Sequence, residues 1–297
     1  MNFVKYFKFF NILSFLLFLL AIFSLFFFGL KFSIDFTGGS ILEVDFDGRP
    51  ENPIIQEKLK DLNLGEIIVQ PIGEKGIILR MPVIDEETHQ KIVSKLNEIS
   101  KIEEKRFESI GPTVGKELRE KTVTLITVSL VFLLIFISIA FSKISRPISS
   151  WQYGLISIVT LSFDVAIAIG IFSLLGKLYN TQFNIPIVTA LLTILGYTIN
   201  DKVIVFDRIR ENILKGERGK TFEETVNLSL NQTLTRSLST GTCTLLVLFS
   251  LFFFGGETLK YFALILIAGI IIGTYSSLFL ATPLLVIWLK SKKRGQG

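Results

Sequence analysis

Four charged side chains lie within or at the mouth of otherwise apolar stretches of this 297-residue chain: Asp164, Asp201, Lys202 and Arg236. An ionised group near the middle of a bilayer costs at least ~2.5–3.5 kcal/mol, so one retained there faces a cavity, a partner or both. Asp201 has Tyr197, Thr198 and Asn200 at helix-compatible spacing. A carboxylate among such hydroxyl and amide groups, partly sheltered from water, can load and release H+ or hold Na+. Arg236 keeps its charge at any physiological pH. If it approached Asp201 in only one conformation, it would favour the ionised carboxylate there and couple titration to shape. Plainer roles are open as well: an ion pair of Asp201 with Lys202 or Arg236, snorkelling from the interface, a buried hydrogen-bonding role for Asp164, and a topogenic or lipid-facing role for Arg236.

These residues must be positioned by membrane helices. Hydrophobic residues make up 49% of the chain and mean hydropathy is +0.56. The apolar residues are gathered into runs approaching or exceeding the ~20 needed to cross ~30 Å of hydrocarbon. Six spans are predicted, at residues 11–30, 122–141, 151–175, 185–206, 238–255 and 261–289. The first follows Lys5 and Lys8 like a secretory signal, but it is longer than an h-region and Lys31-Phe32-Ser33 is a poor cleavage site, so it is expected to stay as an anchor. Gly269-Ile270-Ile271-Ile272-Gly273 is a GxxxG pattern suited to close helix approach, and Gly196 is a second candidate packing position.

Charge sets the orientation. Residues 31–121 hold 14 Lys/Arg and 18 Asp/Glu, whereas the remainder holds 17 and 8. Lys5 and Lys8 (segment 1–10), Lys143 and Arg146 (142–150), the bases between Arg208 and Lys220 (207–237) and those of the 290–297 tail all fall on one side of a six-span chain. The positive-inside rule makes that side cytoplasmic, with both termini there. Residues 31–121 and the short loops 176–184 and 256–260 are then extracytoplasmic. The basic tail reads as topogenic, in contact with anionic membrane lipid rather than nucleic acid.

Within 31–121, residues 40–46 alternate, 51–63 are helical, 66–70 and 76–81 are strands, 86–98 a second helix and 102–110 a last strand. That βαββαβ order predicts an α+β ferredoxin-like domain between the first two spans of an all-α six-helix membrane bundle. Its lone His89 sits among charges and reads as a solvated surface residue. Cys243 falls in the fifth span, which rules out an intramolecular disulfide, and its expected role is a small packing residue. No grouping of His, Ser or Cys suits catalysis, a cofactor or a metal, so a binding or moving domain is expected and not an enzyme. Residues 207–237 read as a cytoplasmic helical hairpin, with Gly216 and Gly219 at its turn and Thr221-Phe222-Glu223-Glu224 as a capping box.

Several segments together carry a family resemblance. Ser33-Ile34-Asp35-Phe36-Thr37-Gly38-Gly39 resembles the (G/S)-I-D-F-x-G-G signature of the SecD/SecF family, and Gly111-Pro112-Thr113-Val114-Gly115 resembles a second family segment. Residues 195–201, ending in Asn200-Asp201, and 205–212 are similar to its fourth-helix motif, whose Asn-Asp pair separates SecF members from SecD. Residues 231–237, 254–257 and 273–277 also match, so the resemblance covers nearly the whole chain. Ser33 stands where Gly is commoner.

The resemblance implies one six-helix half of an RND-like transporter fold. Such a half pairs with SecD into a pseudo-twofold twelve-helix unit on the SecYEG channel, with YajC as a further associate, and its extracytoplasmic domain assists a translocating secretory polypeptide. It further implies ion coupling at Asp201 and Arg236, with Asn200 beside them and Asp164 matching a third-helix Asp, and signature residues near the base of the extracytoplasmic domain at Asp35, Phe36, Gly38, Gly39, Gly111 and Pro112. Two rival readings are an RND-type exporter of small amphiphiles, for which the 31–121 domain is compact, and a passive scaffold of the translocon.

Overall fold

A computed structural model describes residues 2–140, 150–215 and 221–294. Residues 142–149 of the expected loop, Gly216 and Gly219 with their neighbours, and 295–297 of the tail lie outside the described residues. In chain order the elements are α1 (Phe7–Phe28), a one-turn α2 (Ile34–Thr37), β1 (Gly39–Phe46), α3 (Asn52–Leu59), β2 (Ile68–Ile72), β3 (Gly76–Met81), α4 (Glu86–Asn97) and β4 (Ile102–Ile110). There follow α5 (Pro112–Ala140), α6 (Ser150–Tyr179), α7 (Ile185–Lys215), α8 (Phe222–Phe254), α9 (Gly256–Ser276), a π-helical segment (Ser277–Ala281) and α10 (Thr282–Arg294). The chain divides into two units, Phe32–Thr124 and the remainder.

The larger unit is helical. Among the described residues, six helical stretches are long and apolar enough to cross a membrane: Val4–Phe28, Pro112–Ala140, Trp151–Tyr179, Ile185–Lys215, Phe222–Phe254 and Leu259–Leu289. Their burial is unequal. More than half of the most apolar part of the third, fourth and sixth is enclosed by protein (56, 56 and 61%), against 17, 6 and 17% of the first, second and fifth. So α6, α7 and α9 form the centre, and the other helices keep broad apolar faces for lipid or a partner. Cys243 is on such a face, exposed on α8 rather than packed.

Small residues let α1 close on α6. A Cβ added at Gly170 would lie 2.6 Å from Ala21 Cα, and Ser24 Oγ donates to the Gly170 carbonyl at 2.8 Å. Membrane helices gain little from hydrophobicity against one another, so close approach with interhelical hydrogen bonds supplies the association. The α7 and α8 helices run on past the apolar runs and account for the described parts of the expected 207–237 hairpin. Ion pairs of Arg208 and Lys215 with Glu211 support α7 there, and the Thr221–Glu224 capping box opens α8.

The smaller unit is a four-stranded antiparallel sheet in the order β2-β3-β1-β4, with α3 and α4 between strands. Leu42, Val44 and Phe46 of β1 meet Ile77 and Leu79 of β3 and Ile55, Leu59, Ile92 and Leu96 of the helices in one core. The period-2 alternation of β1 directs these residues to one face. The β1–β4 pairing shifts register at Glu43/Val44, a bulge that brings Glu104 opposite Val44.

His89 departs from the sequence expectation. It is only 4% exposed, stacks on Phe107 with ring centroids 3.8 Å apart, and places Nδ1 3.1 Å from Glu86 and Nε2 3.2 Å from Glu104. The reason is periodicity: His89, Ile92 and Leu96 share the inward face of α4.

Asp85 caps α4 by accepting the Thr88 N–H at 3.0 Å. That bonding holds its carboxyl below the usual carboxylate range, so the folded unit binds this proton less readily than the unfolded chain. The cap contributes fully above the unfolded value of about 4 and is lost as pH falls through the lower folded value. Asp85→Ala is therefore expected to speed amide exchange in α4 of the full-length protein at neutral pH, and the difference from wild type should shrink as the pH is lowered through that window.

Candidate ion-coupling site

The site is built where α6, α7 and α9 meet. Asp201 and Lys202 are consecutive on α7, and consecutive helical residues point ~100° apart. Their charges therefore serve different neighbours. Lys202 turns to α6, where its Nζ lies 2.6 Å from Asp164 Oδ2, and both side chains are fully buried. The same Nζ donates to Ser276 Oγ at 3.1 Å, and Ser276 in turn donates to the Gly273 carbonyl at 3.1 Å. Asp201, 1% exposed, accepts a hydrogen bond from Thr274 Oγ1 at 3.2 Å. Two adjacent residues of α7 thus hold α9 at 274 and 276.

Glycines permit this grip. A Cβ at Gly269 would collide with Ile194, and one at Gly273 with Thr198, so α9 lies directly on α7 at these two positions. Immediately beyond, the helix widens into the π-helical Ser277–Ala281. Pro283 has no N–H for the carbonyl of Phe279, four residues back, and the wider turn falls where that bond would be missing. Ser277 Oγ donates to the Gly273 carbonyl at 2.7 Å and Thr282 Oγ1 to that of Ser277 at 3.2 Å, so hydroxyls brace the irregular turn.

Some buried polar atoms have no partner among the described residues: Asp164 Oδ1, Thr198 Oγ1 and Ser237 Oγ. The Thr198 hydroxyl is near Asp164 and that of Ser237 near Asp201, without meeting hydrogen-bond geometry. Burying a charge pair costs desolvation of both ions, and the pair holds because each neutralises the other; removing one partner typically costs about 3–5 kcal/mol.

Other sequence candidates are placed apart. Arg236 is exposed on α8, makes no ion pair among the described residues, and lines an open groove with Val203, Asp207, Arg208 and Gln232. Asn200 is exposed on the opposite side of α7 from the core. Gly196 faces open space, with nothing within 4 Å of an added Cβ. Lys202 as partner of Asp164, Thr274 as a hydroxyl donor to Asp201 and Ser276 as a hydroxyl acceptor for Lys202 do not emerge from sequence reasoning; the signal for them is a lysine and clustered hydroxyls inside apolar runs.

In the smaller unit, Asp35 and Phe36 are buried in α2. Gly38 and Gly39 have φ of 77° and 133°, which L side chains rarely adopt. A Cβ at Gly38 would lie 2.8 Å from Pro112 Cα, and one at Gly115 2.9 Å from Gly38 N. The turn after α2 is thereby packed on the start of α5, next to Gly111, whose own surroundings are open.

Comparison with known proteins gives a consistent picture. A family model described as "Protein export membrane protein SecD/SecF, C-terminal" matches residues 89–291, and one described as "SecD/SecF GG Motif" matches residues 23–48. The protein translocase subunit SecF of Thermobaculum terrenum is 39% identical over 89% of this chain and 86% of its own. That of Desulfurispirillum indicum is 36% identical over 88% and 82%. Among solved structures, the crystal structure of SecDF, a translocon-associated membrane protein from Thermus thermophilus, superposes with a TM-score of 0.84 at 34% identity, covering 97% of this chain. SecDF in a super-membrane-facing form gives a TM-score of 0.71, also at 34% identity. This chain spans 38% and 39% of those two SecDF chains.

Gly273→Ala is expected to destabilise the full-length protein by about 1–3 kcal/mol, because the new methyl overpacks against the stiff β-branched Thr198. Gly196→Ala, which meets nothing, should be neutral or slightly stabilising. Thermal unfolding of both variants in detergent checks this contrast, and equal losses would contradict it.

Proposed function

This chain belongs to the SecD/SecF family of protein export membrane proteins, and from that premise we propose that it is a SecF-type accessory subunit of the Sec translocase that couples ion flow to late-stage export. The observation that carries the coupling is Asp201: a carboxylate 1% exposed, held by one hydroxyl at 3.2 Å, with no ion pair among the described residues. A sheltered acid in that state can take up H+ or Na+ from one side of the membrane and release it to the other. Arg236, which makes no ion pair among the described residues and lines the neighbouring groove, is the cation we assign to meet that carboxylate in another conformation. One monovalent ion crossing ~100 mV releases ~2.3 kcal/mol, enough to bias a two-state element about 50-fold.

The element so biased is the 31–121 domain, which we read as ferredoxin-like from its βαββαβ order and the sheet order β2-β3-β1-β4. In this reading the domain faces the outside, both termini face the cytoplasm, and the domain acts on a secretory polypeptide leaving SecYEG. The matched SecDF chains are far longer than this one, which supports SecD as the partner covering the apolar faces of α5 and α8; YajC and membrane lipid complete the neighbourhood.

Two measurements test this reading. Asp201→Asn should leave the protein in the membrane at wild-type levels and abolish the potential-dependent part of secretory-protein export in vesicles; unchanged coupling would refute the assignment. In a Cys243→Ser background, Glu74→Cys should react with a membrane-impermeant maleimide added outside intact cells, and Gln232→Cys only after permeabilisation. The reverse pattern would invert the topology.

A further inference from the structure

We propose that Lys202 is a positioning residue: a tethered internal cation that permanently neutralises Asp164 and leaves Asp201 as the carboxylate of this bundle free to exchange an ion. The inference rests on the coupling role of Asp201 proposed above and adds a division of labour between two buried acids. Asp164 sits in oxygen-rich surroundings, with its own two oxygens, Ser276 Oγ and Thr198 Oγ1 close by. An all-oxygen donor set of this type suits a hard cation. Here the cation is supplied by the chain itself. The Lys202 ammonium sits 2.6 Å from Asp164 Oδ2 and 3.1 Å from Ser276 Oγ, with both charged side chains at 0% exposure.

The elements packed round the pair bring no competing charge. Between 151 and 176, α6 carries only Asp164; between 185 and 206, α7 carries only Asp201 and Lys202; residues 261–281 of α9 and the π-helical segment carry none; α8, packed on α7 and α9, carries between 225 and 254 only Arg236, and α1, packed on α6, only Lys8, both exposed. Of the phenols there, Tyr275 donates to the Phe10 carbonyl at 3.1 Å and shares a 2.9 Å bond with Ser14, so it turns to α1 rather than to the pair. An ammonium on a chain anchored one residue from Asp201 cannot leave with the transported ion, and a charge leaving Asp164 alone would leave an uncompensated buried cation. Asp164 is therefore held ionised, and the bundle exchanges one ion per cycle, at Asp201.

The consequence is spectroscopic. The full-length protein is reconstituted in phosphatidylethanolamine–phosphatidylglycerol vesicles, and infrared difference spectra between alkaline and acidic pH are recorded in the carboxylic-acid carbonyl region for groups shielded from deuterium exchange. Wild type is expected to show one such band, and Asp201→Asn none, since that substitution leaves the Asp164–Lys202 pair intact. Adding Lys202→Met to Asp201→Asn should restore a single band, now from Asp164, which the further change Asp164→Asn removes. A shielded band that persists in Asp201→Asn and disappears in Asp164→Asn/Asp201→Asn would overturn the proposal, whether or not the Lys202 variants accumulate. The result is separable from the coupling assignment: loss of the band in Asp201→Asn with unchanged potential-dependent export would refute coupling at Asp201 and leave the neutralising role of Lys202 standing.

Discussion

The fold of the membrane unit turns on one ion pair. Asp164 and Lys202 lie wholly out of water, 2.6 Å apart, where neither charge would be tolerable alone. Desolvating two ions is repaid only by good geometry and by further hydrogen bonds, and those come from Ser276, delivered by α9. Three helices are therefore bound to a common point. The close approach of α9 to α7 at Gly269 and Gly273 is a condition of the pair, because a larger residue at either position would push Ser276 away.

What remains after that pairing defines the chemistry. Asp201 is next in sequence to Lys202 yet turned to another side, with Thr274 as its hydroxyl donor. One hydroxyl holds it, so under the coupling proposed above its ionisation would respond to the cation or proton that reaches it. The turn of α9 that serves Asp201 and the Asp164–Lys202 pair, residues 273–276, leads directly into the π-helical segment and Pro283. A change in how Asp201 holds Thr274 is thus applied at a point where helix geometry is already irregular, which is where helices bend most readily.

Much of this was legible in the residues themselves, and the limits have physical causes. Six apolar runs announce six helices because nothing else of that length satisfies its backbone in lipid. The alternation of residues 40–46 and the helical stretches near 51–63 and 86–98 announce the strands and helices of the smaller unit, while its sheet order is set by which strands meet in space and is read only from the structure. Asp201 stands out by its burial within an apolar run. The identity of Lys202's partner does not, because adjacency in sequence is not adjacency round a helix, and its meeting with Asp164, 38 residues earlier, depends on how α6 packs on α7. His89 shows the opposite failure: charged neighbours suggest solvation, while the spacing of His89, Ile92 and Leu96 already places it inward. Gly196 looks like a packing glycine but faces open space, since a small residue marks a close approach only when another helix is there.

The most direct measurement is a double-mutant cycle on the buried pair, read as thermal unfolding of the full-length protein in lipid. Asp164→Asn and Lys202→Met alone should each cost about 3–5 kcal/mol, because each strands a buried charge, and the double variant should recover most of the combined loss. Losses that simply add would contradict the account, since the two charges would then not depend on one another.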